Sequence, residues 1–233
     1  MNIHIIPAIM PQNYYDIEDS VALVKSDTQY VQLDIMDGKY VSEKTWPFYY
    51  GTDRDLETLK GEDQGLPFWE DVDYEFDLMI ERPEESLETW LGIGASRIIL
   101  HYSSVHDWDK IRSIEPGIRN FTKIGCAITI HDDIQNIRTL IDEKLFDFVQ
   151  VMGIAHIGFQ GEPFEPKSLE LIRELYANYT DLLITVDGGV SIITIKEMYD
   201  AGASQFVSGS GVFATGMAAE NINGLYNAIE TTE

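Results

Sequence analysis

Three aspartates stand at the ends of short apolar runs: Asp34 in Gln32-Leu33-Asp34-Ile35-Met36-Asp37-Gly38, Asp77 in Phe76-Asp77-Leu78-Met79, and Asp187 in Val186-Asp187-Gly188-Gly189. Aspartate is unfavourable in strands, so its recurrence at three strand ends points to a shared task rather than to local propensity. Any one of them alone is as well read as a turn or helix-cap residue. Together they offer paired proton donors and acceptors, or hard ligands for a metal ion. Small residues follow near the end of the chain in Val207-Ser208-Gly209-Ser210-Gly211, where a strand passes into a short helix. Backbone N–H groups at such a junction can hold a phosphate. The remaining candidates are weaker. His101, His131 and His156 show no metal-ligand spacing to one another and read as structural, as does the lone Cys126. No Ser/His/Asp order and no lysine in a Schiff-base position stands out.

The elements that must bring the aspartates together are legible as runs. Ile3–Ile9, Tyr30–Ile35, Tyr74–Ile80, Arg97–His101, Lys123–Ile128, Phe146–Met152, Leu182–Val186 and Gln205–Ser208 are β-branched or apolar. Between them lie amphipathic helical patterns over Ile17–Val24, Pro83–Leu91, Ile134–Ile141, Ser168–Tyr176, Ile193–Ala201 and Ala218–Ile229. Near-continuous apolar strands alternating with helices predict a parallel sheet covered on both faces. Eight such units in 233 residues predict a (β/α)8 TIM barrel, a fold that ordinarily takes about 250 residues. An open doubly wound sheet is the competing architecture, but Pro7-Ala8-Ile9-Met10-Pro11 stands where its glycine fingerprint belongs. In a barrel the C-terminal strand ends share one face, so Asp34, Asp77 and Asp187 converge there. The loops after strands seven and eight, with Gly188, Gly189, Gly209 and Ser210, form the expected phosphate site. Lys39–Asp73 reads as a long loop over that face with one helix at Asp53–Leu59, and residues 1–233 as a single domain.

Charge narrows the partners. The chain carries 40 Asp and Glu against 16 Lys and Arg, a formal net charge of −24. Such a surface disfavours nucleic acid and anionic membranes. No apolar stretch is long enough for a membrane span and Met1–Met10 lacks a basic region, so a cytoplasmic location is expected.

The chain resembles the ribulose-phosphate 3-epimerases almost end to end. The likeness rests on Ile6-Pro7-Ala8-Ile9, Leu33-Asp34-Ile35-Met36-Asp37-Gly38, Asp77-Leu78-Met79-Ile80, Val151-Met152, Gly158-Phe159-Gln160-Gly161, Val186-Asp187-Gly188-Gly189-Val190 and Gly209-Ser210. By that resemblance Asp34 and Asp187 are the two acid/base residues that invert C3 of a ketose phosphate through an enediolate. Ala8, Met36, Met79 and Met152 then line the substrate pocket, and Gly158, Gly161, Gly188, Gly189, Gly209 and Ser210 bind its phosphate. A phosphorylated ketose of pentose phosphate metabolism is the implied substrate and a homo-oligomer the implied assembly. Phosphate-binding barrel decarboxylases are a poorer match, because Met36 stands where their Asp-x-Lys-x-x-Asp run has lysine.

The departures bear on the metal. The family pattern adds two histidines to the two aspartates as ligands, and here Gln32 and Asp77 hold those positions. Ala8 replaces a hydroxyl residue, and Ala155-His156-Ile157 replaces an Asn-Pro before the strand-six glycines. A set of Gln32, Asp34, Asp77 and Asp187 offers only oxygen donors, which suits Mg²⁺ or Mn²⁺ rather than Zn²⁺ or Fe²⁺. Without an ion, the carboxylates repel and at least one should hold a proton near neutrality. The alternative expectation is a catalytically inactive paralogue that still binds a sugar phosphate.

Overall fold

The computed structural model describes residues 3–50, 54–61 and 65–230. Its strands are β1 (His4–Ile9), β2 (Tyr30–Met36), β3 (Asp73–Met79), β4 (Arg97–His101), β5 (Lys123–Ile128), β6 (Phe148–Met152), β7 (Leu183–Asp187) and β8 (Gln205–Ser208). They close in chain order into a barrel, every pair parallel, with β8 returning to β1. The helices are α1 (Tyr14–Ala22), α2 (Arg54–Lys60), α3 (Leu87–Gly92), α4 (Trp108–Arg112), α5 (Pro116–Arg119), α6 (Ile134–Asp142), α7 (Ser168–Asn178), α8 (Ile195–Ala201), α9 (Ser210–Phe213) and α10 (Ala218–Glu230).

Differences from the sequence expectation have local causes. α1 begins at Tyr14 because the Asn13 side chain accepts the backbone N–H groups of Tyr15 and Asp16, a cap that starts the helix a turn before its apolar face. The helix expected over Pro83–Leu91 is a 3₁₀ turn at Pro83–Glu85 followed by α3, with Ser86 at φ −115° interrupting the two. β6 begins at Phe148, since the Asp147 carboxylate accepts Ile124 N–H and Arg119 and so belongs to the entry turn. α4 and α5 are too short to show a periodicity. Of the helix expected at Asp53–Leu59, α2 covers all but Asp53, which lies outside the described residues.

Alternation sorts each strand into two faces. Leu33, Ile35, Phe76 and Leu78 are fully buried against the helical layer. Their neighbours Gln32, Asp34 and Met36 pair in register with Glu75, Asp77 and Met79 and point into the barrel. That interior is unusually polar. At the end opposite the site, Arg97 donates to Glu75 at 3.3 Å and Gln205 at 2.7 Å, and its guanidinium stacks 3.8 Å from the Tyr30 ring. Pairing of this kind is what a buried charge requires. Phe148 fills the middle, where a Cβ on Gly125 would stand 2.4 Å from its ring. Only glycine fits there.

Candidate active site

The C-terminal halves of β2, β3 and β7 bring Asp34, Asp77 and Asp187 together, one carboxylate oxygen of each lying within 4.8 Å of the others. Two buried amides hold the group. Gln32 Nε2 donates to Asp34 Oδ1 and Asp187 Oδ2, both at 2.8 Å, while Gln150 Nε2 donates to Asp77 Oδ2 and Asp187 Oδ2, both at 3.1 Å. His101, at the end of β4, places Nε2 2.7 Å from Asp77 Oδ1. Among the described residues no protein hydrogen bond reaches Asp34 Oδ2 or Asp187 Oδ1. Gln32, Asp77 and Gln150 are 0% exposed.

Crowding and burial set the protonation of the site. Burial foremost, with the Asp77 charge added, pushes the Asp187 carboxyl up to about 7, against a smaller pull downward from Gln32 and His101. Asp34 is held well above the usual carboxylate range, first by burial and then by Asp187 and Asp77. Deeper in the barrel Glu75 is also pushed up to about 7 by burial, which Arg97 only partly offsets.

The segment after β2 locks Asp34 in place. Thr45 Oγ1 donates to the Asp34 carbonyl at 2.5 Å and accepts the Met36 N–H at 2.8 Å, while Thr45 N–H bonds the Met36 carbonyl at 3.1 Å. Val41 from this segment packs on Met36 and Met79 and lies against Gly158.

Asp34 and Asp187 open into a cavity of about 250 Å³. Ala8, Met79, Met152, Gly158, Gly161, Gly188, Gly189, Gly209 and Ser210 line it, whereas Met36 does not: it is fully buried under Val41. No lysine or arginine lines the cavity among the described residues. Gly188 and Gly189 adopt φ values of +91° and +68°, which turn the chain sharply after β7 at no steric cost. The N–H groups of Gly188, Gly189 and Gly209 make no backbone hydrogen bond among the described residues. Gln160 reaches over this cradle, its Nε2 3.4 Å from the Ala8 carbonyl and occupying the space a Cβ on Gly209 would take.

The convergent carboxylates and the lining glycines are thus legible in the sequence, and two of their partners are less so. Gln150 is a lone polar residue inside the apolar run Phe148-Val149-Gln150-Val151-Met152, a signal open to notice. His101 reads as structural in the sequence because its partner lies 24 residues away on another strand.

The donor set suits a hard cation. Three converging carboxylates, two of them pushed toward protonation by burial and mutual repulsion, are what a divalent ion relieves. The amide oxygens Gln32 Oε1 and Gln150 Oε1 are buried without partners, so turning either amide would add an oxygen to the set. The aspartate cluster could thus hold a divalent metal ion.

Fold and site together define a (β/α)8 barrel with a carboxylate centre at its C-terminal face. The chain belongs to the ribulose-phosphate 3-epimerase family, whose model matches residues 4–213. It is 28% identical over 229 residues to the ribulose-phosphate 3-epimerase of Schizosaccharomyces pombe, covering 97% of this chain and 93% of that one. Against the ribulose-phosphate 3-epimerase of Escherichia coli the identity is 26% over 215 residues, covering 90% and 88%. Among solved structures, KGPDC from Streptococcus mutans superposes with a TM-score of 0.72 at 12% identity, covering 98% and 97%. A 3-hexulose-6-phosphate synthase does so at 0.66 and 17%, covering 97% and 100%. At those identities the likeness is one of fold. No helix among the described residues is long and apolar enough to cross a membrane.

Proposed function

We propose that this chain epimerises a phosphorylated ketose at C3, with Asp34 and Asp187 as its two proton-transfer groups. The observation that carries the reading is that both carboxylates open into one cavity while sharing Gln32 Nε2. That amide engages Asp34 Oδ1 and Asp187 Oδ2, so Asp34 Oδ2 and Asp187 Oδ1 are the oxygens left to move protons. Inversion needs one ionised and one protonated group. Burial and repulsion favour that mixed state near neutrality, because the second carboxylate ionises against the charge of the first. The ionised carboxylate takes the C3 proton, the C–H electron pair passes into the enediolate, and the protonated carboxyl returns a proton to the opposite face of C3.

Met79 and Met152 give the reacting carbons an apolar, polarizable wall. Binding the phosphate falls to backbone N–H groups of Gly158, Gly161, Gly188, Gly189, Gly209 and Ser210, since among the described residues the cavity offers no cationic side chain. Asp34, Asp77 and Asp187 with Gln32 would hold Mg²⁺ or Mn²⁺, which when bound supplies positive charge to the developing enediolate oxygens. Val41, from the segment after β2, lies against Gly158 on this face.

Incubating the protein with a panel of ketose phosphates in deuterated water, with Mg²⁺ or Mn²⁺ present, tests the reading. Deuterium at C3 of at least one sugar is expected. Binding of those sugars with no label on any of them would leave a sugar-phosphate-binding protein instead.

A further inference from the structure

We infer that His101 is a positioning residue, fixing the Asp77 carboxylate for cation binding; the inference rests on the divalent-ion reading of the site. Asp77 is the innermost of the three carboxylates, 0% exposed and absent from the cavity wall, with no lysine or arginine on it among the described residues. Its two oxygens meet two donors from different strands: His101 Nε2 from β4 on Oδ1 at 2.7 Å, and Gln150 Nε2 from β6 on Oδ2 at 3.1 Å. Two donors on separate oxygens fix the plane of the carboxylate, one oxygen of which lies within 4.8 Å of an oxygen of Asp34 and of Asp187.

The two donors differ in reach. Gln150 divides its N–H groups between Asp77 and Asp187 and therefore responds to either. His101 serves Asp77 alone. Its ring is 1% exposed and packs against the Tyr40 ring, centroids 5.4 Å apart and planes at 54°. Nδ1 is buried with no partner, so the acceptor on Oδ1 places the ring proton on Nε2. A ring held by packing, with its proton directed at one oxygen of a ligand, is the arrangement by which outer groups orient ligands, and its loss ordinarily costs about 10–100-fold in metal affinity. Removing it also strands Asp77 Oδ1 as a buried acceptor.

The test is Mn²⁺ titration of the full chain, with free Mn²⁺ followed by electron paramagnetic resonance, for wild type, His101→Leu, His101→Asn and His101→Gln, folding being checked by circular dichroism. Gln carries an amide N–H to about the reach of Nε2. Asn stops short of it but keeps a polar group, which separates donation from folding if the Leu variant does not fold. The Leu and Asn variants should bind Mn²⁺ about 10–100-fold more weakly than wild type, and Gln should recover most of the loss. In turnover the same order should fall on kcat with little change in KM. Leu or Asn binding as tightly as wild type overturns the inference, as does a folded Gln variant no better than Leu. Wild type that takes up no Mn²⁺ overturns the divalent-ion reading and this inference together.

Discussion

Asp34 and Asp187 meet at a single nitrogen: Gln32 Nε2 stands 2.8 Å from an oxygen of each, although Gln32 and Asp187 are 155 residues apart. One amide with two hydrogens thus satisfies one oxygen on each carboxylate and aims the other. The same bonds favour the charged forms and pull both carboxyls downward against burial.

Replacing Gln32 by Leu should therefore raise both carboxyls further. The base then ionises only at higher pH, so the acidic limb of the kcat/KM profile moves in the alkaline direction, by about one pH unit for the loss of one charged hydrogen bond. A pH–rate profile identical to wild type would show that Gln32 does not tune the pair.

Asp34→Asn and Asp187→Asn should each lower turnover by about 10²–10⁴, the usual worth of a positioned proton-transfer group. Asp37→Asn should matter far less, because Asp37 accepts the backbone N–H groups of Lys39, Tyr40 and Glu81 and shapes the turn after β2. Steady-state rates of the three folded variants decide between these roles.

Stability should carry the signature of the crowded carboxylates. Asp187 has its carboxyl raised from 3.8 to about 7 on folding, so the folded chain binds that proton more tightly than the unfolded one. Its stabilising effect is complete below 3.8 and fades as pH rises through about 7. Chelator-treated wild type should thus lose stability relative to Asp187→Asn between pH 4 and pH 8, on the order of 4 kcal/mol. Denaturant melts at the two pH values measure the difference, and millimolar Mg²⁺ or Mn²⁺ should shrink it.

Donor type should set metal preference. Wild type, with oxygen donors only, is expected to take up Mg²⁺ or Mn²⁺, and the double variant Gln32→His, Asp77→His should shift toward Zn²⁺. Metal analysis after purification without chelator reads this directly. Uptake of Zn²⁺ by the variant, beside a wild type empty at millimolar Mg²⁺ and Mn²⁺, would mean a site that has lost its ion.

Gly189→Ala should weaken binding of inorganic phosphate and of sugar phosphates. A Cβ there would stand 2.8 Å from Phe164 Cα, on a residue at φ +68°, so the backbone must shift; a residue with a side chain in such a conformation costs about 1 kcal/mol or more. Phosphate protection against thermal unfolding should fall in the variant. Protection equal to wild type would remove Gly189 from the phosphate cradle.

Much of this protein was legible one residue at a time. Apolar runs alternating with amphipathic helices named the barrel because period and β-branching are local properties, and the ends of β4, β5 and β8 fell where expected. Asp34, Asp77 and Asp187 stood out because aspartate is misplaced on a strand, and Gly188-Gly189 because a sharp turn needs residues without side chains. The tertiary structure decided the pairings. Closing the barrel set Gln150 of β6 between aspartates of β3 and β7, turned His101 of β4 onto Asp77, and hid Met36 beneath Val41. Those contacts depend on strand register and side-chain rotamer across dozens of residues, and a periodicity tells which face a residue occupies without telling what it meets there.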